Sequence, residues 1–390
     1  MKQKPNWQRI LLRSLSYILV AALASTLTLI LCLGTNTKLL ELENIIDQRF
    51  IGEADLEDAR DAAAQAMVKA LGDRWSYYIP AEDYAAYREN KDNAFVGIGI
   101  TIVVREDGMG FDILSVEPGG SAQESGILPG DILVEAAGQS VLELDAEGVK
   151  TLIRGKAGTE VTVAVLREEE KLSFSLERRE IRVEVASGQM LSDQIGLIKI
   201  ANFNSNCASE TIAAVEALVE QGAKGLIFDV RNNPGGYVDE MIKVLDHLLP
   251  EGVLFRDLNY KGITSERHSD ESCLELPIAV LMNGNSYSAA EFFPAVLREY
   301  EWATLVGENT TGKGHYQITY RLSDGSAVNL STGKYFTPNG VNLTEAGGLI
   351  PDVTVEVDED MAAMIYAQVL DPLKDPQIQA ALALLNEDRG

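Results

Sequence analysis

The chain has 390 residues, 46% of them hydrophobic, enough for two or three domains with sizeable cores. Its formal net charge of −26 argues against nucleic-acid binding, which needs a basic footprint. Three widely spaced cysteines and three histidines supply no disulfide framework, zinc pattern, HExxH or EF-hand signature, so neither a metal nor another cofactor is expected.

Residues 15–34 carry no charge and have the length of one bilayer-crossing helix. Lys2, Lys4, Arg9 and Arg13 precede them, and Glu41, Glu43 and Asp47 follow. The positive-inside rule then puts the tail 1–14 in the cytoplasm and the body outside. A cleaved signal peptide is the alternative, but Ala22-Leu23-Ala24 falls inside the apolar run rather than after it. Cys32 follows Leu31, where a lipoprotein signal wants a small residue.

Residues 35–92 read as helical, with Leu39, Leu40, Leu42, Ile45 and Ile46 at helical spacing and an alanine-rich run from Ala62 to Leu71. From Asn93 the character changes. Phe95-Val96-Gly97-Ile98-Gly99-Ile100 leads into alternating residues, and Gly108-Met109-Gly110 reads as a turn. Ala122, Gly126, Gly130, Asp131 and Ile132 make an AxxxGxxxGDI element. Leu144 to Arg154 reads as a helix, and Glu160 to Leu166 and Lys171 to Glu177 as strands. This order resembles a PDZ domain over residues 93–182. The resemblance implies that a peptide adds to a sheet edge, and that the loop of Phe95, Val96, Gly97, Ile98, Gly99 and Ile100 offers backbone N–H groups to its C-terminal carboxylate.

Beyond Val183 strands and helices alternate, the pattern of an α/β core. Ile195 to Ile200, Gly225 to Val230 and Ile278 to Asn283 read as strands. Ala208 to Gln221, Tyr237 to Leu249 and Ala289 to Glu299 read as helices, and residues 359–387 as terminal helices. Two strand-to-helix corners carry the candidate chemistry. Gly235 and Gly236 let the backbone turn sharply and approach a neighbour. Ser288 stands at the start of a helix, where the Ala289 N–H faces the same point. Lys313, between Gly312 and Gly314, supplies an amine that becomes a base if it is buried. A serine hydroxyl needs such a base to act as a nucleophile. Ser286 is a competing nucleophile, and His247 or His315 a competing base in a Ser-His-Asp arrangement.

These segments together resemble the carboxyl-terminal processing, or tail-specific, serine proteases. The resemblance is carried by Asp229-Val230-Arg231-Asn232-Asn233-Pro234-Gly235-Gly236, the Ser288 and Lys313 motifs, Tyr335-Phe336-Thr337-Pro338-Asn339-Gly340, Gly348-Leu349-Ile350-Pro351-Asp352 and Asp375-Pro376-Gln377. It implies Ser288 as nucleophile, Lys313 as general base and Gln317 as the residue that orients the lysine. The oxyanion donors fall on Ala289 and on Gly235 or Gly236, with the choice between the glycines open. Tyr287, Ala290, Thr311, His315 and Tyr316 depart from the family pattern.

The implied fold is a multidomain α/β chain: tail 1–14, transmembrane anchor 15–34, helical region 35–92, PDZ domain 93–182, serine protease core 183–358 and C-terminal helical segment 359–390. The implied protein is an endopeptidase held in a bacterial cell membrane, with its catalytic body on the extracytoplasmic side. Its partners are proteins or peptides with accessible C-termini. The helical termini suit a homodimer by analogy with the family alone. A non-catalytic exported scaffold that binds peptide tails is the rival reading.

Overall fold

The computed structural model describes residues 15–20, 23–25, 37–105 and 107–387. The tail 1–14 lies outside the described residues, as does most of the segment 15–34 expected to anchor the chain. Among the described residues no helix is long and apolar enough to cross a membrane. The chain divides into two compact units, Met1–Tyr78 and Ile79–Gly390.

In the first unit, Thr37–Arg49 and Leu56–Lys69 are helices. Asp55 caps the second by accepting the Glu57 N–H at 2.8 Å, which satisfies one of the amides a helix start leaves open. Arg60 of the second helix pairs with Glu43 of the first.

The second unit opens with the helix Tyr84–Asp92, which Asn93 ends in the left-handed conformation at φ 47°. The Asn93 side chain then donates to Asn202 Oδ1 at 3.1 Å and to Ser205 O at 2.8 Å. An antiparallel sheet follows, built from Ile100–Val104, Phe111–Val116, Ile132–Ala136, Glu160–Arg167 and Glu170–Glu177. Val161, Val163 and Val165 share its core with Ile113, Leu133 and the helix residues Val149 and Ile153. In the GDI element, Asp131 accepts the Leu128 N–H at 2.9 Å and pairs with Arg167 at 2.7 Å.

The rest of the unit is layered. Six strands lie side by side in sequence order: β1 (Ala186–Met190), β2 (Ile195–Ile200), β3 (Gly225–Asp229), β4 (Ile278–Met282), β5 (Ala303–Gly307) and β6 (Val353–Thr354). Only β1 with β2 is antiparallel. Helices α1 (Cys207–Glu220), α2 (Val238–Leu248) and α3 (Ala289–Glu299) cover one face, and α4 (Pro376–Glu387) the other. Strand alternation sorts the side chains. Leu226, Phe228, Val280 and Met282 join the three-helix side, while Ile227, Ala279, Leu281 and Val306 meet Ile378, Ala381 and Leu385 of α4. Cys207, buried at the start of α1, and exposed Cys273 are not bridged.

A second, antiparallel sheet was not legible in the strand–helix alternation. It joins Gly252–Asn259, Thr264–Ser269, His315–Arg321 and Ala327–Phe336. Thr264–Ser269 exposes every residue but its last, so it lacks the apolar alternation that marks a strand.

A buried ion pair fixes α4. Arg231, just after β3, binds Asp229 at 2.6 Å and Asp375 at 2.7 Å, each side chain less than a tenth exposed. Burial works against the Arg231 charge, but the two carboxylates outweigh it and drive its pKa upward. Asp375 also caps α4 by accepting the Gln377 N–H at 2.9 Å. Asp375→Ala is therefore expected to destabilise the fold by roughly 3–5 kcal/mol, the usual result of breaking a buried pair from one side. Urea unfolding measures this, and a midpoint equal to the parent's contradicts the assigned role.

Candidate active site

Because the strand order is monotonic, the chain leaves β3, β4 and β5 at neighbouring points on one edge of the sheet. Asp229 lies opposite Leu281, and Met282 opposite Gly307. The three following loops carry Gly235 and Gly236, then Ser288, then Lys313. Sites in parallel α/β sheets form at such carboxyl ends.

The glycine corner is held by Asn233, which is fully buried. Its Nδ2 donates to Ile200 O at 2.8 Å, its Oδ1 accepts the Gly235 N–H at 2.8 Å, and its carbonyl accepts the Tyr287 N–H at 3.2 Å. Gly235 has φ +82°, and a Cβ there would come within 2.7 Å of Tyr287 O and 2.8 Å of Ser288 Cβ. The corner thus packs directly on the serine turn. With the Gly235 N–H already bonded to Asn233, the amides at the corner and at the start of α3 that make no hydrogen bond among the described residues are those of Gly236 and Ala289.

Ser286 and Ser288 have different surroundings. Ser286 is fully buried, with its Oγ donating to Val230 O at 2.8 Å and accepting the Asn283 N–H at 3.1 Å. That hydroxyl ties the two loops together. Asn283 and Asn232 exchange two further hydrogen bonds, of 2.9 and 3.0 Å. Ser288 is half-buried and caps α3 at φ 61°, ψ −125°, a conformation that costs a non-glycine residue roughly 1–3 kcal/mol. Strain of this kind exposes a nucleophile on a strand-to-helix turn.

Lys313 is 9% exposed, and its amine stands 5.8 Å from the centre of the Tyr287 ring. The flanking glycines are required by close approach. A Cβ on Gly312 (φ +83°) would lie 2.8 Å from Gly348 N, and one on Gly314 would lie 2.4 Å from Asn342 Oδ1. Asn342 Nδ2 donates to Gly314 O and Tyr335 O at 2.8 Å each, and the Tyr335 hydroxyl donates to Lys313 O. Burial drives the Tyr335 phenol far above its usual pKa, with the nearby Glu291 charge adding to the effect.

Glu291, on the first turn of α3, is fully buried, and nothing in the sequence alone assigns it a role. Its Oε1 accepts the N–H groups of Ser288 at 2.9 Å and Lys313 at 2.5 Å. Its Oε2 accepts the Gly312 N–H at 2.8 Å and the Thr310 hydroxyl at 2.6 Å. Burial pushes its pKa up, against these donors, which favour the ionised form.

Gln317 begins no part of this cluster's hydrogen bonding. Its Nε2 donates to His315 O and Ser331 Oγ, both at 3.0 Å, and among the described residues its side chain makes no hydrogen bond to Lys313. His315 opens the strand His315–Arg321 opposite Lys334. His247 sits near the far end of α2, about 13 Å along the helix from the glycine corner at 1.5 Å per residue. In the PDZ-like part, Phe95, Val96 and Gly97 pair with 179–181, Ile98 and Gly99 turn, and Ile100 starts the next strand. The carbonyls of Ile98 and Gly99 accept the Ala122 and Glu117 N–H groups at 3.0 and 2.9 Å, which leaves the loop short.

Residues 194–355 match the model of peptidase family S41, and residues 113–167 match that of the PDZ domain. The chain is 32% identical over 326 residues to "Carboxy-terminal processing protease CtpA" of Bacillus subtilis (strain 168), covering 82% of this chain and 69% of that protein. It is 30% identical over 325 residues to "Probable CtpA-like serine protease" of Staphylococcus aureus (strain N315), covering 82% and 64% respectively. Among solved structures it is similar to the photosystem II D1 C-terminal processing protease, at 25% identity and TM-score 0.47, over 87% of this chain and 92% of that one.

Proposed function

Since the chain belongs to peptidase family S41 and is a serine-type carboxyl-terminal processing peptidase acting on proteins or peptides, we propose that Ser288 and Lys313 form its catalytic dyad. The observation that carries this reading is that loops from three adjacent parallel strands bring both residues and the glycine corner to one edge of the sheet, where the Ser288 and Lys313 amides share one buried carboxylate. The Ser288 hydroxyl attacks the substrate carbonyl carbon and passes its proton to the neutral Lys313 amine. The Gly236 and Ala289 amides donate to the carbonyl oxygen as it gains charge. The lysine ammonium then protonates the leaving amine. In the second half Lys313 takes a proton from water, which attacks the acyl-serine; the C–Oγ bond breaks, the ammonium returns that proton to Ser288 Oγ, and the new C-terminus is released. Gln317 supports this cycle through the strand pair beside Lys313 rather than by a direct bond to the amine.

The same reading has the PDZ domain holding the substrate's C-terminus. An added strand pairs beside Ile100–Val104, and the turn at Ile98–Gly99 meets the carboxylate. It also has residues 15–34 anchoring the enzyme in a bacterial cell membrane with the body outside.

The test is cleavage of one peptide in two forms, with a free and with an amidated C-terminus. The free acid is expected to be cut about tenfold more efficiently, reflecting roughly 1.4 kcal/mol of carboxylate recognition. Equal efficiency would remove the PDZ reading and leave the dyad standing. Turnover by Ser288→Ala would remove the dyad.

A further inference from the structure

Glu291 takes no part in the chemistry just described, yet one of its oxygens, Oε1, accepts the backbone N–H groups of both dyad residues, Ser288 at 2.9 Å and Lys313 at 2.5 Å. We propose that Glu291 is the positioning residue of the dyad, a single carboxylate that locks the serine turn and the lysine loop into the register in which hydroxyl and amine meet. This rests on the dyad reading above.

Three observations support it. First, all four groups that face the carboxylate are donors: the amides of Ser288, Lys313 and Gly312 and the hydroxyl of Thr310. An ionised carboxylate is acceptor-only and satisfies them all, whereas a glutamine turns an NH2 toward one pair. Second, Glu291 is fully buried, and among the described residues no basic side chain forms an ion pair with it. An apolar residue would fill such a core position more stably if packing were the only demand. The neighbouring core positions Phe292 and Phe293 are filled in that way. Third, Thr311 ties the same two loops through Gly284 O and Ser286 O, but the Glu291 clamp grips the dyad residues themselves. Glu291 rides on the rigid helix α3, which starts at Ser288, while the Lys313 loop comes from the end of β5. The helix N-terminus adds a positive end beside the carboxylate, which helps keep it charged. Burial pulls its pKa upward, and the four donors pull it back toward the charged form.

The experiment compares Glu291→Gln with the parent enzyme in peptide hydrolysis and in modification of Ser288 by a fluorophosphonate. The expected result is a fall of about 100-fold in kcat, the scale of a misplacement near 1 Å at a reacting pair. KM should stay within about twofold, and the modification rate should fall by the same factor as kcat. Thr310→Val removes one donor from Oε2 and the side-chain acceptor of the Leu349 N–H, at a hydroxyl that bonds neither dyad residue. It is expected to lower kcat about tenfold with KM unchanged, as one lost hydrogen bond to a charged acceptor does. If Glu291→Gln fails to fold, Thr310→Val carries the test alone. Parent kcat in either folded variant, or a loss that falls wholly on KM, overturns the proposal. Ser288→Ala separates the two readings. If it still turns over, the dyad fails; if it is inactive while Glu291→Gln works at the parent rate, only the positioning role fails.

Discussion

Lys313→Arg is expected to be as inactive as Lys313→Ala, with kcat/KM down roughly 10⁴-fold or more, the scale seen when one member of a catalytic unit is removed. The replacement keeps the charge and most of the length, so a surface or salt-bridge role for Lys313 would tolerate it. A general base would not. The guanidinium keeps its proton throughout the accessible pH range and has no lone pair to offer. Lys313 is 9% exposed and its backbone is pinned by Glu291 and Tyr335, so the loop has little room to bring in a substitute base. Steady-state peptide cleavage measures the effect, with circular dichroism to show that the variants are folded. An arginine variant that keeps even about a tenth of parent activity contradicts a lysine base.

Gly236→Ala is expected to lower kcat by about 10²–10³-fold, the range for loss of one oxyanion donor. The reason is close approach rather than backbone torsion. A Cβ at 236 would stand 2.2 Å from Phe203 C, 2.4 Å from Phe203 O and 2.6 Å from Asn204 N. All three are backbone atoms, and the segment is held to the corner by Phe203 N–H to Gly235 O at 2.9 Å and Tyr237 N–H to Phe203 O at 2.7 Å. No side chain can swing away, so the corner itself must shift and take the Gly236 amide with it. A stability loss of about 2–4 kcal/mol should accompany the change, as for other overpacked buried sites. Unfolding by urea and single-turnover acylation separate the two effects. Acylation at the parent rate in a folded Gly236→Ala enzyme would exclude Gly236 as a donor.

The parts legible in the sequence were those that depend on neighbours in the chain. The apolar run of β4 followed by a helix starting at Ala289, the glycines at 235 and 236, and the glycines around Lys313 all state their local geometry in their own residues. Ser288 and Lys313 are proposed as a pair because a nucleophile and a base are required together. What could not be read depends on residues far apart in sequence. Glu291 looks like an ordinary acidic residue of a first helical turn until the Gly312 and Lys313 amides are folded onto it. The proposal of Gly236 rather than Gly235 as a donor rests on Asn233, whose Oδ1 holds the Gly235 N–H. Ser286 competes with Ser288 in the sequence, whereas in the fold Val230 O and the Asn283 N–H occupy its hydroxyl. The expectation for Gln317 came from the family resemblance, and strand pairing instead sets its amide against Ser331. The strand Thr264–Ser269 was hidden because its side chains face solvent and carry no apolar period.

The dyad is tested most directly by the rate at which a fluorophosphonate modifies the full chain between about pH 5 and pH 10, with the adduct mapped by mass spectrometry. The account predicts a single adduct on Ser288, a rate that rises with pH to a plateau, and loss of modification in Lys313→Met. An adduct on Ser286 or another serine, or a Lys313→Met protein modified as fast as the parent, would contradict it.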